Sequence, residues 1–169
     1  IYSEDAWGHS AKKYMNGWAT GSSNYTTLHC MDSFDGKVCY CIEPGLSRNV
    51  GDTYHSFGED FWDNYPSQYN DTIEPDDIKL LLGRIMQYGY QGNLSTSWRS
   101  QNDSDADKLA HAFATQLLVW ETVVGERDAD FDHVSTGGYD AILSLVSPNH
   151  PLYSRIMDYC DSIESSVQS

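Results

Sequence analysis

Asp103–Gly125, DSDADKLAHAFATQLLVWETVVG, is the stretch whose reading decides the fold. Leu109, Phe113, Trp120 and Val123 or Val124 recur at three- and four-residue spacing, the mark of one long amphipathic helix whose stripe faces a protein interior. Asp103 or Ser104 is suited to cap its start, acidic residues fill the first turn, and Gly125 is a natural stop. Gln116 falls inside the apolar stripe. A buried carboxamide is costly unless it is hydrogen-bonded, so Gln116 is either a satisfied core amide or a group with a chemical task.

Outward from this helix the chain divides into two kinds of sequence. From Ile1 to about Asn70 it is short-period, aromatic and broken by Gly17, Gly21, Gly36, Gly45, Gly51 and Gly58. Within it Thr27 to Ile42 reads as a hairpin around Asp35-Gly36, and a two-residue turn there sets Cys30 opposite Cys41. In its second strand Val38, Tyr40 and Ile42 share one face, Cys39 and Cys41 the other. Tyr54, Phe57, Phe61, Trp62, Tyr65 and Tyr69 follow in a polar background, as a decorated loop or short strands.

From Glu74 the pattern becomes helical: Pro75 suits a first turn, Asp76 and Asp77 complement the dipole, and Ile78, Leu81, Leu82 and Ile85 keep helical spacing up to Tyr88-Gly89-Tyr90. Beyond the central helix, 127–138 reads as loop, Tyr139 to Val146 as a short helix and Pro151 to Ile163 as a last amphipathic helix carrying Leu152, Ile156, Met157 and Cys160. Strands first and helices second predict an α+β fold: a β-rich, sandwich- or barrel-like part packed on a helical subdomain. One domain over 1–169 is expected, with 1–72 mainly β and loop, 73–125 helical, and 126–169 loop and helices.

Bulk properties exclude some partners. With 25 acidic against 10 basic residues and a net charge of −15, the chain offers no basic stripe to a nucleic acid, and anionic membranes are disfavoured. No apolar run is long enough to span a bilayer, and a start at Ile1 without a signal-like segment is what a mature or excised fragment would have. Twelve tyrosines and five tryptophans beside few lysines and arginines fit a secreted or surface module. Cys30, Cys39, Cys41 and Cys160 lack the paired spacing of a zinc site, so no metal is expected. Asn24, Asn70, Asn93 and Asn102 open Asn-x-Ser/Thr triplets of the kind that arise by chance in such a chain.

Two strings complete the reading: Val38-Cys39-Tyr40-Cys41-Ile42-Glu43-Pro44-Gly45 and Ala114-Thr115-Gln116-Leu117-Leu118-Val119-Trp120-Glu121. Together they resemble the two signatures of the thioester domains at the tips of Gram-positive surface adhesins, an aromatic-Cys-aliphatic string on a strand and a Thr-Gln-x-x-aliphatic-Trp string on a helix. Ile85 to Asn93, with its Tyr-Gly-Tyr turn, and Ala106 to Ala110 are similar to segments flanking them in that family. The resemblance covers roughly Val38 to Trp120, with weaker agreement at Tyr139 to Leu145.

The resemblance implies an intramolecular thioester between Cys41 and Gln116. It further implies covalent adhesion: one acyl transfer to an amine, in the first place a lysine, on a host protein or other surface ligand, without turnover. A monomeric domain at the tip of a longer cell-wall-anchored, extracellular protein would be its setting. The chemistry suits the residues. A thiolate that expels ammonia from a carboxamide leaves a reactive acyl-sulfur bond, which lasts only where water is kept out, as on the apolar face beside Phe113 and Trp120. Tyr40, Tyr90 and His111 are candidates to orient groups or accept a proton, with His111 weighed against an ordinary helix-surface histidine and Thr115 against packing or capping.

Four alternatives stay open. Periodicity does not choose between Cys39 and Cys41, for which only the aromatic-Cys-aliphatic match favours Cys41. A Cys30–Cys41 bridge would abolish the thioester. The chain could instead be a secreted non-covalent binding module using the aromatics of 54–69, or a cysteine hydrolase or transglutaminase-like enzyme using Cys41 with His111 or His133. The last lacks a thiol at a helix N-terminus.

Overall fold

A computed structural model describes residues 3–4, 29–31, 37–42, 60–63, 73–93, 104–134, 142, 146, 148, 150 and 152–169. The elements are strands β1 (Ser3–Glu4), β2 (His29–Met31) and β3 (Lys37–Cys39), followed by helices α1 (Asp60–Asp63), α2 (Pro75–Tyr88), α3 (Ser104–Val123) and α4 (Tyr153–Gln168). The described fold is mainly helical, and its β part is one antiparallel sheet of order β1-β2-β3. The expected sandwich or barrel, the aromatic cluster of 54–69 apart from Phe61 and Trp62, and most of the helix expected at Tyr139 to Val146 lie outside the described residues. Where 46–72 is described, it is the helical turn α1 and not a strand.

α3 is the hub, packed against both α2 and α4, which also touch each other. It is more deeply set than its stripe implies: every residue from Ala112 to Val123 is buried. Ala106, Ala110, Ala112 and Ala114 let neighbours close in on the faces that the pattern of large apolar residues leaves blank. The polar residues of these faces find partners inside the helix: Thr115 and Thr122 donate their hydroxyls to the carbonyls of His111 and Leu118, each at 2.8 Å.

Gly125 ends the helix as expected, with φ 85° in the left-handed region that glycine enters without strain. Its N–H donates to the Thr122 carbonyl and that of Glu126 to Glu121, the paired bonds of a Schellman stop. α2 starts at Pro75 as its sequence dictates and buries Ile78, Leu81, Leu82 and Ile85. α4 runs five residues past Ile163, because Val167 repeats the buried face of Ile156 and Ile163, and Arg84 donates to the Val167 carbonyl at 3.2 Å. Met157 and Cys160, expected in its core face, are only partly buried.

The loop after α3 carries a feature that spacing did not reveal. Arg127 is buried and donates to Glu121 at 2.8 Å, pairs with Glu164 of α4 at 2.8 Å, and donates to the Phe131 carbonyl at 3.0 Å. Its guanidinium lies 4.8 Å from the centre of the Phe131 ring. Although burial alone would lower its pKa, the Glu121 and Glu164 carboxylates hold the guanidinium above its ordinary value. Asp128 accepts from the N–H groups of Asp130 and Asp132, closing the turn in which Phe131 takes φ 67°.

Removing the cation leaves Glu121 charged and buried, so Arg127→Met is expected to destabilise the protein by about 3–5 kcal/mol. Urea denaturation reads the loss, and adding Glu121→Gln to the same chain should restore part of it.

Candidate functional site

β3 presents the cysteine string, and its register corrects an expectation. His29 pairs with Cys39, Cys30 with Val38 and Met31 with Lys37. Cys30 therefore faces Val38 and not Cys41, because five residues, 32–36, separate the paired Met31 and Lys37 where a two-residue turn was expected. Cys41 itself lies two residues beyond the end of β3, in chain that has left the ladder. Among the described residues Cys39, Cys41 and Cys160 are thiols and not disulfide halves.

The free edge of β3 is taken by the segment that leaves α2. Val38 donates its N–H to the Gly92 carbonyl at 3.1 Å, and Lys37 bridges antiparallel to Asn93. That segment is in turn fastened to α3. Thr115, fully buried, accepts the Tyr90 N–H on its hydroxyl at 3.0 Å. Gly89 lies so close to it that a Cβ there would meet Thr115 Cγ2 at 2.5 Å and Oγ1 at 2.7 Å. The Tyr40 hydroxyl donates to the Tyr90 carbonyl at 2.5 Å, and the Tyr90 hydroxyl to the Asn93 carbonyl. One chain of contacts thus runs from the residue before Gln116 to the residue before Cys41.

At the end of that chain the two halves meet. Gln116 is 1% exposed. Its Oε1 accepts the Cys41 N–H at 2.8 Å, and its Nε2 donates to the Cys41 carbonyl at 2.8 Å. The carboxamide so completes, as a side chain, the pair of bonds that a neighbouring strand would have made to Cys41. Residues 75 apart in sequence are joined there, with the amide held from both sides so that its plane cannot turn. For Cys39 the described thiol contact is to its own strand, the Lys37 carbonyl at 3.8 Å. The third thiol, Cys160, lies 4.0 Å from the Ala114 carbonyl, and burial pushes its pKa far up, which leaves it a poor nucleophile.

The remaining helper candidates fall in two places. His111 is not a simple surface residue: it stacks on Tyr159 with ring centres 4.3 Å apart, meets Tyr90 edge-on at 5.7 Å, and has Nε2 3.4 Å from the Tyr88 carbonyl. Burial lowers its pKa, outweighing that carbonyl and the Asp107 carboxylate. Tyr159 donates to Asp107 at 2.6 Å, and its phenol is pushed up to about 12, by burial first and then by that carboxylate. Trp120 lies one turn after Gln116 on α3, and its indole N–H is buried without a hydrogen-bond partner.

His133 lies beyond α3 with its ring beside Glu121 and Glu126, the three ligand atoms within 4.8 Å of one another. Arg127 already supplies the positive charge at Glu121, so a metal ion there would meet a guanidinium 2.8 Å from one of its ligands. Sequence reasoning singled out both members of the central pair, whereas the clamp formed by Gly89 and Thr115 escaped it. A glycine directly after a helix reads as a plain stop and carries no sign of a close approach.

Comparison with protein families matches residues 38–169, 132 of the 169, to the family described as Thioester domain. Neither curated proteins nor solved structures give a match. Among the described residues no helix is long and apolar enough to cross a membrane.

Two outcomes follow from this geometry. Gly89→Ala forces Thr115 and the Ile85 carbonyl, 2.7 Å from the new Cβ, to give way, and is expected to cost about 1–3 kcal/mol in chemical denaturation, with Thr115→Ala recovering only part because the carbonyl remains. His111 has a folded-state pKa below the 6.5 of the unfolded chain, so the unfolded state takes up its proton first as pH falls. Its stabilising contribution is complete above 6.5 and is lost as pH falls through the folded value. Melting temperatures of His111→Phe should therefore decline less below pH 6.5 than those of the wild type.

Proposed function

The chain belongs to the thioester domain family, and on that premise we propose that Cys41 and Gln116 close an internal thioester with which the protein attaches covalently to an amine-bearing ligand. The observation that carries this reading is the two-sided grip of the Gln116 carboxamide on the Cys41 peptide, both bonds at 2.8 Å in a buried setting. In the closing step Cys41 Sγ attacks Gln116 Cδ. The Cδ–Nε2 bond breaks, and ammonia leaves with the thiol proton. The two reactants need no diffusive search, which removes much of the entropic cost of a bimolecular step.

The Cys41 N–H points at Oε1, where negative charge gathers as the carbon becomes tetrahedral, and the Cys41 carbonyl holds the leaving nitrogen. In the second step an amine, in the first place a lysine of a host or matrix protein, attacks Cδ. The C–S bond breaks, an amide forms at Gln116, and the proton that the amine loses ends on Cys41 sulfur. One ligand consumes one site, so the protein is a single-turnover binder and not an enzyme. Tyr40, Tyr90 and Thr115 act as positioning residues, and His111, kept neutral by its burial, is the candidate to accept the proton that the incoming amine sheds once it has added to Cδ. Neither step calls for a metal or a cofactor. The acidic chain favours encounter with basic targets, a rate effect that salt screens. An extracellular setting as a monomeric tip of a longer, cell-wall-anchored surface protein of a Gram-positive bacterium fits this chemistry.

Intact-mass analysis tests the reading. Wild-type protein should weigh one ammonia less than calculated, and Cys41→Ala and Gln116→Ala should each restore the full mass. Methylamine should convert the wild-type species into an adduct at Gln116. A full wild-type mass would remove the thioester, and repeated turnover of a small ester or amide would make the protein a hydrolase instead.

A further inference from the structure

Trp120 has a hydrogen-bond donor with nothing to bond. Its side chain is 7% exposed and its Nε1–H is buried without an acceptor, a state that folded proteins rarely leave unresolved. On α3 it follows Gln116 by four residues, so the two share a face. Side chains on a helix lean toward its N-terminus, and for a residue at position 120 that is the direction of the turn that bears Gln116. The neighbouring buried polar side chains of α3 all have acceptors or donors: Thr115, Gln116, Glu121 and Thr122.

Before reaction, Gln116 Oε1 is neutral and accepts the Cys41 N–H. When a nucleophile adds to Cδ, the oxygen becomes an alkoxide with further lone-pair directions to satisfy, and a second donor on it is worth most when water is absent. We propose that Trp120 Nε1–H is that second donor, a catalytic residue for both the closing of the thioester and its opening by an amine. The inference rests on the thioester reading above. In closing, the Cys41 Sγ–Cδ bond forms while the carbonyl electron pair moves to Oε1. The indole N–H and the Cys41 N–H then hold that charge until the pair returns and ammonia departs. Opening repeats the sequence, with the amine as nucleophile and Cys41 sulfur as leaving group. The donor's lack of a partner in the resting protein would then serve the reaction, because its bond strengthens only as charge develops.

The test follows the rate of ammonia loss in freshly folded chain, and of methylamine addition to the closed protein, by intact mass. Trp120→Phe and the benzothiophene isostere of tryptophan at 120, which keeps the ring shape and loses the N–H, are compared with wild type. Both variants should slow both steps by about 10²-fold, the loss that follows removal of one oxyanion donor. The isostere should keep the wild-type melting temperature, and its slowing separates donation from packing if Trp120→Phe fails to fold. Wild-type rates in the folded isostere would overturn the role of Trp120 and leave the thioester intact. A wild-type chain of full calculated mass would remove the thioester reading, and this inference with it.

Discussion

The pair of hydrogen bonds between the Gln116 carboxamide and the Cys41 peptide is the constraint around which the described structure is arranged. A carboxamide has one donor side and one acceptor side, and so does a single residue of extended backbone, whose N–H and C=O point the same way. Matching the two requires that Cys41 be extended and that its backbone face α3 squarely. The sheet meets the first requirement by handing over an extended chain at the end of β3, and the burial of α3 on all sides meets the second. Gln116 is thereby satisfied in a core where an orphaned amide would be heavily penalised.

What holds Cys41 there is indirect. The segment from Gly89 to Asn93 adds itself to β3 on one side and to Thr115 on the other. It acts as a spacer of set thickness, and Gly89 sets it, since any larger residue would push α3 and the cysteine strand apart. Tyr40 strengthens the same joint by reaching across to the Tyr90 carbonyl. The ion cluster of Arg127, Glu121 and Glu164 does comparable work at the far end of α3, tying the loop after the helix to α4. The glutamine helix is therefore anchored at its middle and at its C-terminal end by buried polar contacts, and the apolar residues between them exclude water from the amide.

This arrangement has a cost. Trp120 keeps an unused donor in the core, and His111 stays half-buried between two tyrosine rings, where its charged form is disfavoured. A thioester needs dryness to persist and polar groups to form. Under the chemistry proposed above, the Trp120 N–H, buried without an acceptor at rest, would meet the charge that develops on Gln116.

From sequence alone, the three long helices were legible, because periodic Ile, Leu and Phe, a proline start at Pro75 and a glycine stop at Gly125 are local signals that act within a few residues. The candidate pair was legible as two strings, Cys41 behind Tyr40 and Gln116 before Trp120, and family membership rests on the same stretch of chain. The choice of partners was not. The hairpin register depends on loop length, and Asp35-Gly36 looks the same in a two-residue turn as within five intervening residues. The depth of α3 depends on alanines that show no preference until neighbours close on them, and the role of Gly89 on a helix it meets only in three dimensions. Local pattern dictated which residues form elements and which side chains are chemically apt. Tertiary packing alone decided which of them touch, since burial and hydrogen-bond pairing act between segments that sequence spacing leaves unrelated.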